Sequence, residues 1–259
     1  MKFAKLFHLS IIFVLFSCSY EIERPLPKCD LTVASVNVNK NNKELLAVTN
    51  EILGLNADVV MLSNFPTDME SYKPIFEEKD YEVKFLTKPF NNSTISLAFL
   101  VKEKFAIKDC YECPLAYLNG YPGQNGKIGI LRLGVNSKVI SLVTIDPVKY
   151  DGAVNELLDG ISDGLLSYQY SDPSFSINKE QIIWGGTFNF SPASKMYKKF
   201  ETAGMIDSHL KGAHKYNMTK NNSVRADYIF ASKTITCEYA GTFSVTSSNH
   251  RGVVAGFNL

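Results

Sequence analysis

The chain has no excess charge of either sign: 27 lysines and arginines stand against 26 aspartates and glutamates, a formal net charge of +1. A protein that grips nucleic acid through its phosphates, or that lies on anionic lipid, usually presents a basic face, so the charge balance points to neither partner. Histidine is scarce, at four, and cysteine numbers five. Cys110 and Cys113 form a C-x-x-C with no second pair to complete a zinc knuckle. Structural disulfides or buried free thiols are therefore expected for Cys29, Cys110, Cys113 and Cys237. The single tryptophan, Trp184, lies in an apolar stretch that marks it for the core. No apolar run reaches bilayer-spanning length, and the chain has no repeat or low-complexity tract.

What is present begins with a segment built for export. Lys2 and Lys5 precede the apolar run Leu6 to Phe16, the layout of a signal peptide. Leu15-Phe16-Ser17-Cys18 follows and resembles a bacterial lipobox, in which the cysteine is acylated after cleavage. Residues 1–17 are expected to be removed and Cys18 to carry lipid. Residues 18–30, with Pro25 and Pro27, are expected to serve as a tether. Cleavage takes two lysines and no acid, leaving 25 basic against 26 acidic side chains, net −1, in 242 residues. That length suits one domain, residues 31–259, able to bury its own core. The expected location is outside the cytoplasm, anchored to a bacterial membrane, where the sequons at Asn91, Asn92 and Asn217 carry no glycan.

Hydrophobic patterning predicts buried strands at Leu31–Val38 and Asp58–Leu62, joined by a helix over Glu44–Leu55, a parallel strand-helix-strand unit. Further strands are predicted at 81–86, 95–101, 128–135, 139–145, 181–185, 227–231, 234–239 and 253–259, with helices at 153–170 and 193–203. His209 and His214, with Lys211, Lys215 and Lys220, read first as a solvated polar surface, with contact to a phosphate as the alternative, and residues 119–126 read as a mobile loop.

Four short stretches stand in a telling order: Val33-Ala-Ser-Val-Asn37; Ala57-Asp-Val-Val-Met-Leu-Ser-Asn64; Ile182-Ile-Trp-Gly-Gly-Thr-Phe-Asn189; and Arg225-Ala-Asp-Tyr-Ile-Phe230 with Ser248-Asn-His250. Together they resemble the strand-end motifs of the endonuclease/exonuclease/phosphatase superfamily, metal-dependent phosphodiesterases and phosphatases. The resemblance spans residues 31–259 and implies a four-layer α/β (α+β) sandwich, two packed mixed β-sheets flanked by helices. In that family a divalent cation on carboxylate oxygens polarises the phosphate, an acid activates water and a histidine stabilises the transition state.

The resemblance also identifies what has changed. Asn64 stands where the family has its metal-binding glutamate, Thr187 where Gly-Asp-Phe-Asn has its water-activating aspartate, and Asn249 where Ser-Asp-His has its aspartate. Asp146 stands just past the strand end where many members have a catalytic histidine. Asn37, Asn189, Asp227 and His250 match the family's site positions, and Asp207 matches a position that serves packing or a turn. The expectation is a degenerate domain that needs no cofactor and binds an unknown protein or phosphate-containing ligand, with nucleic acid disfavoured. A metal-dependent enzyme rebuilt around Asp146, Asp227 and His250 with Mg²⁺ or Mn²⁺ is the alternative, and a structural surface component the second alternative.

Overall fold

A computed structural model of the protein describes residues 26–86, 97–114, 127–146, 181–210, 218–221 and 224–259. Strand β1 (Leu31–Asn37) is buried along its whole length, because one of its faces meets a second sheet and the other a helix. It pairs in parallel with β2 (Val59–Ser63) across α1 (Leu45–Leu55), as the strand-helix-strand pattern predicts. Asn56 in the left-handed conformation ends α1, its N–H turned back to the carbonyl of Leu53. A short α2 (Lys73–Glu77) leads into β3 (Tyr81–Phe85) and β4 (Leu97–Lys102). Strands β5 (Ala106–Pro114), β6 (Lys127–Val135), β7 (Lys138–Asp146) and β8 (Gln181–Thr187) follow. After α3 (Lys195–Thr202) come β9 (Met205–Asp207), β10 (Asp227–Ser232), β11 (Thr236–Phe243) and β12 (Gly252–Asn258).

Among the described residues these make two six-stranded sheets, ordered β11-β12-β1-β2-β4-β3 and β5-β6-β7-β8-β10-β9. Both are mixed: β1 runs parallel to β2 and β7 to β8, and the other pairings are antiparallel. Val33, Met61, Leu142, Ile183, Ile229 and Ala255 are among the side chains that fill the space between the sheets. Val36, Val48, Ile52 and Leu62 seal α1 onto the outer face of the first sheet. Trp184, Phe188, Phe200 and Phe230 seal α3 onto the second. The two-sheet sandwich implied by the motifs is thus the architecture observed.

Local chemistry explains where the boundaries fall. The second predicted helix begins at Lys195 rather than residue 193 because the Ser194 hydroxyl caps it, accepting the N–H of Tyr197 at 3.1 Å. Strand β5 has no counterpart among the predicted strands, and the helix predicted at 153–170 falls outside the described residues. Cys29, Cys110 and Cys237 are free thiols, and burial pushes the Cys110 thiol up to about 11.

The two ends of β1 face different surroundings. At its start, Asp30 accepts the N–H of Leu259 at 2.9 Å and the side-chain amide of Asn136 at 2.8 Å, tying both ends of the domain together. At its finish stands Asn37, seven strand residues away, which at about 3.3 Å per residue is roughly 20 Å.

Candidate functional site

Each motif ends a strand at the same edge of the sandwich, so the polar residues that follow converge there. Asn37 closes β1, Thr187 closes β8, Asp227 opens β10, and His250 lies just before β12. All four are buried, at 6%, 3%, 2% and 7% exposure. In the antiparallel β8–β10 ladder Thr187 stands directly opposite Asp227, which is the register that lets their side chains meet.

They form one hydrogen-bonded line across both sheets. The amide nitrogen of Asn37 donates to the Thr187 hydroxyl at 2.9 Å, and that hydroxyl donates to Asp227 Oδ1 at 2.6 Å. His250 Nδ1 lies 3.0 Å from Oδ1 and 2.8 Å from Oδ2 of the same carboxylate. An ionised carboxylate only accepts, so Nδ1 carries a proton and Nε2 is left on the opposite side of the ring. The Thr187 hydroxyl has its single proton on Asp227 and accepts from Asn37, so its direction is set from both sides.

Backbone brackets hold these groups in place. Thr219, fully buried, receives the N–H groups of Ala226 at 2.8 Å and Asp227 at 2.9 Å on its hydroxyl. Ser248 donates to the carbonyl of Asn37 at 2.8 Å and accepts the N–H of His250 at 3.1 Å. Glu51 of α1 accepts the N–H of Thr246 at 2.9 Å, anchoring the turn before His250. Gly186 takes a φ of +151°, and a Cβ there would lie 2.2 Å from the carbonyl oxygen of Ile145. Only glycine lets β8 approach β7 this closely one residue before Thr187.

The other predicted residues fall as follows. Asn189 is exposed, with φ at 56°, and its Oδ1 accepts from Lys220 Nζ at 3.2 Å. Asn64 follows β2, half-buried, with φ at 52°. Asn249 is exposed beside His250, its carbonyl accepting the N–H of Asn221 at 2.8 Å. Asp146 is the last residue of β7, and the Ile145–Gly186 pairing puts its backbone level with Thr187; its side chain lies outside the described residues. Among the described residues no three His, Cys, Asp or Glu side chains converge into a metal-sized cluster.

A second polar group sits one layer deeper. Asp207, with no exposure, accepts from Arg225 at 2.5 Å, from the Tyr197 hydroxyl at 2.8 Å and from the N–H of His209 at 3.0 Å. Burial, and next the Asp207 charge, hold the Tyr197 phenol well above its ordinary range, so it stays a donor. Arg225 also lies over the Tyr228 ring at 4.4 Å. Asp207 thus has the packing role expected of it. The solvated reading of His209 is corrected: it is 1% exposed, in a one-turn 3-10 helix that packs against β10 and β11. His214 lies outside the described residues. Sequence reasoning also missed Thr219, since a hydroxyl that accepts backbone N–H groups seven and eight residues on leaves no periodic signal.

No family model matches the chain, and no curated protein sequence matches it significantly. Solved structures do. One is an endonuclease/exonuclease/phosphatase family protein of Bacteroides thetaiotaomicron, with TM-score 0.70 and 15% identity over 88% of this chain and 97% of that one. Another is a mannosyl-6-phosphatase of the same organism, with TM-score 0.70 and 16% identity over 88% and 100%. The human Nocturnin catalytic domain with bound sulfate gives TM-score 0.69 and 18% identity over 89% and 93%. At such identities the likeness speaks to architecture alone: this chain has the fold of the endonuclease/exonuclease/phosphatase proteins.

Proposed function

We propose that this domain binds a phosphate-bearing ligand or partner through the strand-end cleft and does not hydrolyse phosphoesters. The observation that carries the reading is the hydrogen-bonded line Asn37–Thr187–Asp227–His250, in which both oxygens of its single carboxylate already have protein donors. A divalent cation needs several hard, anionic oxygens. Here the described donor set does not fit one: Asn64 and Asn249 are neutral, Thr187 is committed to Asp227, and Asp227 is committed to His250. Thr187 also lacks the basicity to activate water at neutral pH.

The placement of the termini supports display at a membrane. Strand β1 starts at the end of the sandwich remote from the site, so an anchor on Cys18 would join the domain away from the cleft. Among the described residues no helix is long and apolar enough to cross a membrane. Labelling with a fatty-acid analogue that disappears in Cys18→Ser tests this part.

The test of the main reading is hydrolysis of a generic phosphodiester, of nicked DNA, of sphingomyelin and of inositol and sugar phosphates, with Mg²⁺ or Mn²⁺ and with chelator. No turnover above that of His250→Ala is expected. Asp146, level with Thr187 by register, is the one observation favouring a rebuilt metal site. Chelator-sensitive turnover lost in both Asp146→Asn and His250→Ala would establish that site and end the binding-only reading.

A further inference from the structure

Asp227 and His250 belong to different sheets. Strand β10 pairs with β8 and β9, and β12 pairs with β1 and β11, so no ladder register fixes the distance between the carboxylate and the imidazole. Yet His250 Nδ1 lies within hydrogen-bond range of both Asp227 oxygens, at 3.0 and 2.8 Å. An opening of about 1 Å would take it out of that range. Strand pairing alone therefore does not account for the dyad, and the two backbones have to be held together at the cleft by other means.

Thr219 is bonded to both backbones. Its hydroxyl accepts the N–H groups of Ala226 at 2.8 Å and of Asp227 at 2.9 Å, where β10 begins. Its carbonyl accepts the N–H of Arg251, next to His250, at 2.7 Å, just before β12. Its own N–H donates to the carbonyl of Val224 at 2.9 Å, beside the bridge between Lys220 and Val224. Three polar groups of one residue thus reach the second sheet, the first sheet and the segment between. Thr219 has no exposure, and Ala226 and Asp227 are 3% and 2% exposed, so solvent does not replace the hydroxyl as acceptor without a rearrangement. The other brackets act differently. Ser248 accepts the N–H of His250 and donates to the carbonyl of Asn37, contacts that stay on the side of the first sheet. The Asn37–Thr187 contact does cross between the sheets, but through side chains and away from the imidazole.

We infer that Thr219 is the positioning residue of the Asp227–His250 dyad, its hydroxyl setting where Asp227 stands and its carbonyl where the chain leaves His250. A hydroxyl that only satisfied two buried N–H groups would affect stability and nothing else. A positioning hydroxyl also decides which ring nitrogen carries the proton, because Nδ1 keeps it only while the carboxylate is within reach. The inference rests on the proposed binding role of the cleft for its purpose, since the dyad leaves Nε2 as the nitrogen that can meet a ligand. The geometry that carries it stands apart from that role.

Nuclear magnetic resonance of the whole protein with nitrogen-labelled histidine, His250 being assigned by comparison with His250→Gln, reads the dyad directly. The wild type should show a protonated Nδ1 whose hydrogen exchanges slowly. Thr219→Val, which keeps the shape and deletes the hydroxyl, should speed that exchange about tenfold or more and move the ring towards the tautomer protonated on Nε2, while Thr219→Ser should keep the wild-type signals. Ser232→Ala also removes a hydroxyl that accepts a backbone N–H, that of Ile182 at 3.3 Å, but at the opposite end of β10, and should leave the His250 signals unchanged. Wild-type His250 signals in Thr219→Val, or the same loss in Ser232→Ala as in Thr219→Val, would overturn the inference. If Thr219→Val does not fold, hydrogen exchange in the native wild type decides. The amides of Ala226, Asp227 and Arg251 and the Nδ1 hydrogen of His250 should open together, and an imidazole hydrogen that exchanges while those three amides stay protected overturns the inference as surely. Inorganic phosphate added to the same wild-type sample tests the cleft reading separately: His250 signals that ignore it count against binding there and leave the Thr219 comparison readable.

Discussion

Replacing Thr187 by aspartate places there the acid that the resemblance to the family implies, and the structure says what that should cost. Thr187 is 3% exposed and its hydroxyl lies 2.6 Å from Asp227 Oδ1. Two carboxylates about 4 Å apart repel by about 4 kcal/mol at the effective dielectric of roughly 20 that suits such sites. The alternative is to keep one of them protonated. Holding a carboxyl of ordinary pKa about 3.9 neutral at pH of about 7 costs about 1.4 kcal/mol per unit, again about 4 kcal/mol. Either route predicts that Thr187→Asp loses about 4 kcal/mol near neutrality, a fall in melting temperature of roughly 8–16 °C for a domain of this size. The sign with pH follows from the raised folded-state pKa of the new pair. The variant's deficit is complete near pH 7 and disappears as pH falls towards about 4, where the unfolded chain is protonated too. Thr187→Val, which deletes the hydroxyl without adding charge, should cost about 1–3 kcal/mol, for an Asn37 amide without its acceptor and an Asp227 short of one donor. Thermal melts followed by circular dichroism across this pH range, with chelator and with Mg²⁺, read all of these effects. Mg²⁺ should raise the melting temperature of Thr187→Asp and leave the wild type unmoved. A Thr187→Asp protein as stable as wild type near neutrality in chelator would refute the reasoning, because it would mean that positive charge already balances that position.

Three further outcomes follow from the packing. Asp207→Asn leaves Arg225 buried without its counter-charge, and should cost about 3–5 kcal/mol in urea denaturation while loosening the Thr219–Ala226 turn; a loss under about 1 kcal/mol would contradict the role given to this pair. Gly186→Ala forces a Cβ to 2.2 Å from the Ile145 carbonyl, so amide exchange should show the β7–β8 ladder opening beside Thr187, and unchanged protection would refute the close-approach argument. Burial holds the phenols of Tyr81, Tyr197 and Tyr228 above their ordinary range. Folding stability should therefore be full below pH of about 10 and fall above it, by about 1.4 kcal/mol per pH unit for each phenol that stays protonated; ultraviolet titration showing every tyrosine ionising near pH 10 in a still-folded protein would contradict this.

The parts of the molecule that were legible in the sequence are those where one short signal decides the outcome. Buried strands such as β1 and β8 read as continuous apolar runs because both faces are covered, and the polar residues ending them stand out by contrast. The resemblance of the motifs around those strands to the family's motifs located Asn37, Thr187, Asp227 and His250. Strand β5 escaped because it is an edge strand with a register shift between Ile107 and Asp109, and Lys108, Asp109 and Glu112 break its apolar pattern. His209 was misplaced because its sequence neighbours are polar, whereas the 3-10 turn after β9 tucks it under β10 and β11. The sequence left Lys220 between a solvated surface and a phosphate contact, and gave no sign of the bridge that pairs it with His250 thirty residues on, a non-local pairing that composition cannot signal.

The side chains that meet at the cleft have an electrostatic logic. Carboxylates that a metal would hold together become mutually repulsive once the metal is dispensed with, and at effective dielectric near 20 each close pair costs several kcal/mol. Asn64, Thr187 and Asn249 remove that repulsion while keeping side chains able to hydrogen-bond. Asp227 escapes the same pressure because its charge serves the protein rather than a metal: it takes donors from His250 and Thr187 and its own N–H is fixed by Thr219. Removing it would strand a buried imidazole N–H and a threonine hydroxyl, at about 1–3 kcal/mol for each unsatisfied group.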